Sequence, residues 1–95
     1  MERQYRVHVE RFAEKQLRRL PIYIQDSLEA WSRTIEKSGM SAMRRISGYH
    51  DEPLKGARMG QRSSRLSRAY RVIYEEQMSG DIIVIAVMEV NKHEY

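Results

Sequence analysis

The sequence predicts an α+β fold in the order β-α-α-β-β-β, an N-terminal helical hairpin packed on a small, twisted, mainly antiparallel sheet. Three observations predict it. Near the N-terminus, Tyr5, Val7 and Val9 alternate with Arg6, His8 and Glu10, the period-two pattern of a half-buried strand. The apolar residues that follow recur instead at helical steps of three and four. From Gln61 onward, three β-rich stretches are separated by turn residues, with no internal repeat and no linker.

Taken in order, Phe12, Ala13, Gln16, Leu17 and Leu20 fall on one helical face, and Pro21 either stops that helix or sits in the first turn of the next. Ile24, Leu28, Trp31 and Ile35 mark a second helix that Ser38-Gly39 ends. From Met40 to Tyr49 the pattern reads as a short helical turn leading into the loop HDEPLKG, with Pro53 and Gly56. A polar, period-two strand then ends near Ser67. The aromatic and β-branched AYRVIYEE, Ala69 to Glu76, is the next strand, and MSGD is a turn. Ile82 to Val90 is apolar almost throughout, as a strand covered on both faces would be.

A chain of 95 residues supports one core, hence one domain over 1–95, because folding at this length buries only about 60 to 68% of the unfolded surface. With 41% hydrophobic and 32% charged residues, the chain is expected to fold. It has no cysteine, which excludes disulfides and thiolate metal sites and fits a reducing cytoplasm. No apolar stretch approaches the roughly 18 residues needed to span a bilayer, and the N-terminus has no secretory signal, so a cytoplasmic protein with no membrane partner is expected.

Charge is where the sequence is least ordinary. The net charge is +4, yet Ser41 to Val72 alone carries +6, from Arg44, Arg45, Lys55, Arg58, Arg62, Arg65, Arg68 and Arg71 against Asp51 and Glu52. The remainder is slightly acidic. Arginine outnumbers lysine 13 to 4, and its planar fork favours bidentate phosphate contacts, so nucleic acid leads among anionic partners.

The position of two of these arginines depends on one turn. If Ser67-Arg68-Ala69 is a three-residue connection, Leu66 stands opposite Tyr70 and Arg65 opposite Arg71, so two guanidiniums share a sheet face. A two-residue connection would send them to opposite faces. Like charges held so close are most readily tolerated where an anion sits between them.

Three groups carry candidate chemistry. Asp51 and Glu52, beside His50, offer a general base near the arginines, although an acidic dipeptide before Pro53 also fits a solvated turn. Lys55, Arg58, Arg62, Arg65, Arg68 and Arg71 can stabilise charge developing on a phosphate, where the plain alternative is a solubilising strand. The tail Asn91-Lys92-His93-Glu94-Tyr95, directly after the apolar strand, brings a further cation, an imidazole, the usual proton donor and acceptor at neutral pH, and a phenol, although a terminal tyrosine is commonly frayed. His8 reads as a strand residue, and no His, Asp or Glu spacing resembles a metal motif, so neither metal nor cofactor is expected. None of the serines lies in a nucleophile-elbow context.

EPLKG at 52–56, RSSRL at 62–66, YRVIY at 70–74, the apolar last strand and the terminal histidine-tyrosine element together resemble the RelE/ParE superfamily of bacterial toxins, closest to its RelE and YoeB mRNA-cleaving branch. The resemblance implies a toxin that binds the ribosomal A site and cuts messenger RNA there without a metal, by 2′-hydroxyl attack on the adjacent phosphorus. A cognate antitoxin would restrain it in a hetero-oligomer. By the same resemblance, Glu52 matches the general base, with Lys55 close behind it. Arg65 and Arg71 match the phosphate-stabilising arginines, His93 the proton donor to the leaving oxygen, and Tyr95 the base-stacking tyrosine. Arg58, Arg62, Arg68 and Lys92 would complete the RNA-binding surface. Glu94 departs from the pattern by standing between His93 and Tyr95. A ParE-like gyrase inhibitor is the alternative within the superfamily, and a basic nucleic-acid-binding module without enzymology is the alternative outside it.

Overall fold

In the computed structural model, which describes residues 4–92, strand β1 (Gln4–Val9) leads into helices α1 (Arg11–Arg18), α2 (Ile22–Ser38) and α3 (Met40–Arg45). The second half contains β2 (Glu52–Pro53), β3 (Arg62–Arg65), β4 (Tyr70–Ser79) and β5 (Ile82–Lys92), with short 3-10 turns at Ser47–Tyr49 and Gly56–Arg58. The strands form one sheet in the order β1-β5-β4-β3-β2. β1 pairs in parallel with β5, and the other pairings are antiparallel. The α+β class and the largely antiparallel sheet hold, with the parallel β1 at one edge.

The structure departs from the sequence expectations at β2, at Phe12 and along β5. The sequence suggests four strands, but β2 is a fifth, formed by two residues of the stretch that reads as a loop. Two residues offer no alternation to detect. Pro53 is tolerated there because β2 is an edge strand, where a missing N–H breaks no ladder bond. The second departure concerns Phe12, which is 60% exposed. The inward stripe of α1 runs through Ala13, Gln16 and Leu17, and at 100° per residue Phe12 turns away from it.

The helices cover one face of the sheet. Ile24, Leu28, Trp31 and Ile35 of α2 are buried as their spacing predicts, and they meet Val72, Tyr74, Ile83, Ile85, Val87 and Val90 in the core. Each buried Leu or Ile side chain contributes about 1.5–3 kcal/mol. Beyond β1 the pairing of β5 is continued by a side chain. Glu10 N–H still donates to the Val87 carbonyl, and then Gln16 of α1 accepts from Val90 N–H at 2.8 Å. Gly39 joins α2 to α3 at φ +88°, where an added Cβ would lie 3.3 Å from the Tyr5 ring.

Because the helices lie on one side, β5 is not fully covered on both faces as expected. Ile83, Ile85 and Val87 are buried beneath the helices, whereas Ile82 and Val84 on the other face are half-buried. A bulge shifts the β4–β5 register between Ile73, opposite Glu89, and Tyr74, opposite Val87. The open face beyond it holds Arg65 and Arg71.

Candidate functional site

Residues directly opposite across antiparallel strands share a face, so the register assigns each side chain. Ser67 closes the β3–β4 connection, its Oγ accepting from Ala69 N–H at 3.3 Å and Tyr70 N–H at 3.2 Å. Leu66 N–H donates to the Tyr70 carbonyl at 2.9 Å, which makes 67–69 a three-residue connection. Arg65 therefore stands opposite Arg71, and Arg71 opposite Asn91. The next row on that open face is Glu52, Ser63, Ile73 and Glu89, one residue from each of four strands.

The 54–61 connection folds over this second row. Arg58 pairs with Glu89, three strands away from β2, and Gln61 donates to Glu75 Oε2 at 3.4 Å. Ser63 and Ile73, lying between, are 5% and 0% exposed. The connection thus walls one side of the Arg65–Arg71 row. Arg71 Nε is steadied by Asn91 Oδ1 at 3.4 Å, and among the described residues Arg65 pairs with no carboxylate. Both arginines are half-buried. Two guanidiniums in register, with a carboxylate at the edge of the same face, can hold a phosphate and accept a proton beside it.

The opposite face carries a separate polar cluster around Asp51, whose side chain is 1% exposed. Arg62 donates to Asp51 Oδ1 from Nε at 2.8 Å and from Nη2 at 2.7 Å, Ser64 Oγ donates to Oδ2 at 2.6 Å, and Tyr74 OH also donates to Oδ2. Arg44 of α3 approaches at 3.6 Å and bridges to Glu76 at 3.0 Å. The Tyr74 ring meets Trp31 edge-on, with centroids 5.2 Å apart. Burial pushes the Tyr74 phenol above its ordinary value, and the Asp51 hydrogen bond and charge push it further. Burial alone would lower the pKa of Arg62, but its bonds to Asp51 leave it raised.

The basic residues singled out in the sequence are therefore divided. Arg58, Arg65 and Arg71 meet on the open face, with Glu52, exposed, at its rim. Arg62 was expected among the phosphate contacts and lies instead on the helix-facing side, held by Asp51, because β3 alternates and Arg62 is three residues from Arg65. Lys92 also departs from the row, since its register partner is Tyr70 rather than Arg71. Lys55 and Arg68 are exposed in the 54–61 and β3–β4 connections. His93 and Tyr95 lie outside the described residues. His8 is exposed on β1. Among the described residues no group of three or more His, Cys, Asp or Glu side chains could hold a metal ion, and no helix is long and apolar enough to cross a membrane.

From the sequence Asn91 stands only as the first residue of the tail, Glu89 carries no role, and nothing relates Asp51 to its four partners. A signal for the first two exists, because Glu89 and Asn91 break the apolar run of β5 at a spacing of two. The partners of Asp51 come from β3, β4 and α3, which no local pattern relates.

No family model and no curated protein matches the chain. Solved structures do. A YoeB/ParE toxin from Agrobacterium tumefaciens superposes with a TM-score of 0.68 at 18% identity, covering 94% of this chain and 99% of that one. The RelE-RelB complex of the archaeon Pyrococcus horikoshii gives 0.67 at 22% identity, with 94% of each chain covered. The RelBE2 toxin-antitoxin complex of Mycobacterium tuberculosis gives 0.65 at 20%, covering 95% and 99%. At these identities the likeness establishes the fold, which is that of the RelE- and YoeB-type toxins.

Proposed function

We propose that this chain, which has the RelE/YoeB-like toxin fold, is the toxin of a type II toxin-antitoxin pair, a ribosome-dependent endoribonuclease that cuts messenger RNA in the A site. The observation that carries the reading is the Arg65–Arg71 register pair on the same open face as Glu52. In this scheme Glu52 takes the proton of a ribose 2′-hydroxyl, and the oxygen attacks the adjacent phosphorus. Arg65 and Arg71 stabilise the charge that builds on the phosphoryl oxygens. The bond to the 5′ oxygen breaks, His93 protonates that oxygen, and the products are a cyclic phosphate and a free 5′-hydroxyl. Lys55, Arg58 and Arg68 extend the grip on the backbone, and Tyr95 stacks on a base. His93 and Tyr95 enter from the sequence resemblance.

The ribosome belongs to the proposal because one base, one acid and two arginines are a thin catalytic set on an open surface, and a partner would have to orient the RNA. A cognate antitoxin is the second proposed partner, since the Mycobacterium structure is a toxin-antitoxin complex and the Pyrococcus structure a RelE-RelB complex. Phe12, Ile22 and Tyr23 on the helical hairpin, each at least 60% exposed, supply apolar surface for it.

The reading is tested by inducing the protein in bacteria and comparing growth with that of Glu52→Gln and His93→Ala forms, alongside plasmid supercoiling by gyrase with purified protein. Growth arrest relieved by either substitution, with supercoiling unaffected, supports the nuclease. Arrest by both variants together with blocked supercoiling would favour the gyrase inhibitor.

A further inference from the structure

Glu52 sits on a strand that has little to hold it. β2 is two residues long and lies at the sheet edge. Beyond Pro53, among the described residues, the bond from Leu54 N–H to the Gln61 carbonyl, 2.9 Å, is what continues the pairing with the β3 side. Exposed ends of this kind fray. A general base on such a strand would lose its orientation.

The neighbouring residue supplies what the strand lacks. Asp51 is buried on the opposite face and fixed by Arg62, Ser64 and Tyr74, which belong to β3 and β4, while Arg44 closes the cluster from α3. His50 just before it adopts the left-handed conformation at φ 45°, ψ 50°, unfavourable for a residue with a Cβ, so the chain accepts strain to deliver Asp51 beneath the sheet. Asp51 directly precedes β2, and its carboxylate is held from the helix-facing side by Arg62, Ser64 and Tyr74. Glu52 pairs with Ser63 and so lies above, on the face of Arg65 and Arg71; seating Asp51 below thus anchors the entry to β2. We infer that Asp51 is a positioning residue whose carboxylate, locked beneath the sheet, holds β2 so that Glu52 is presented to the substrate phosphodiester. The inference rests on the proposed nuclease reading.

A double-mutant comparison tests it on the full-length protein, using single-turnover cleavage of messenger RNA on programmed ribosomes. Asp51→Asn should lower the cleavage rate toward that of Glu52→Gln, a loss on the order of 10²-fold, with the half-saturating concentration nearly unchanged because the arginines remain. In the Glu52→Gln background, Asp51→Asn should slow cleavage no further, because the residue acts through the base. Tyr74→Phe removes one donor to Asp51 and serves as a milder variant should Asp51→Asn fail to fold; it should reduce the rate when Glu52 is present and leave the Glu52→Gln rate alone. A further slowing of Glu52→Gln by either substitution, or a loss confined to the half-saturating concentration, overturns the inference while leaving the nuclease reading standing. A wild-type rate for Glu52→Gln removes the base itself and overturns both.

Discussion

Arg65 on β3 stands directly opposite Arg71 on β4, and Asn91 on β5 holds the Arg71 guanidinium in that row. Like charges facing each other across a pair of strands cost the fold up to about 1 kcal/mol, so the arrangement favours the molecule only when an anion occupies it. Arg65→Ala should therefore leave the urea unfolding midpoint unchanged or slightly higher, while lowering cleavage by about 10²–10³-fold. Marked destabilisation by Arg65→Ala would mean that the pair serves the fold.

The two salt-bridged arginines on opposite faces should behave differently. Arg62→Ala leaves the Asp51 carboxylate buried without its main partner, a loss of about 3 kcal/mol. Arg58→Ala removes a more exposed pair with Glu89 and should cost below about 1 kcal/mol while weakening RNA binding. Equal stability losses in urea titrations would contradict this division.

Tyr74 predicts a pH dependence. Its folded pKa is raised, while an unfolded tyrosine titrates near about 10, so its contribution is fully present below that value and is lost as the pH rises beyond it. Alkaline destabilisation should be clear in the wild type and shallower in Tyr74→Phe, which in turn is less stable at neutral pH. Parallel pH-stability curves for the two proteins would refute the assignment.

Gly39 predicts a purely conformational effect. At φ +88° and ψ 172° its backbone lies in a region that other residues avoid, and the Tyr5 ring would be 3.3 Å from a new Cβ. Gly39→Ala should destabilise by about 1–3 kcal/mol in thermal or urea unfolding, without altering cleavage per folded molecule.

Much of this fold is legible in the sequence because its elements carry a strong period. The four buried positions of α2 and the alternation of β1 follow from local pattern. The sequence leaves the β3–β4 connection open between two and three residues, and the bond from Leu66 N–H to the Tyr70 carbonyl decides for the three-residue form that sets Arg65 against Arg71. What is not legible depends on partners far apart in the chain. β2 exists through its pairing with β3, and Asp51 and Glu52 read as one acidic pair until the sheet sends them to opposite faces. Arg62 shares its composition signal with Arg65, yet a three-residue offset on one strand gives it a different face and a different partner.

The most direct test is cleavage on purified ribosomes programmed with a defined messenger, with both product ends mapped chemically. Wild-type protein should leave a 2′,3′-cyclic phosphate and a 5′-hydroxyl at A-site codons, Glu52→Gln and Arg71→Ala should each be slower by at least about 10²-fold, and naked RNA should survive. Equal cleavage by wild type and both variants, or no cleavage by the wild type, would contradict the account.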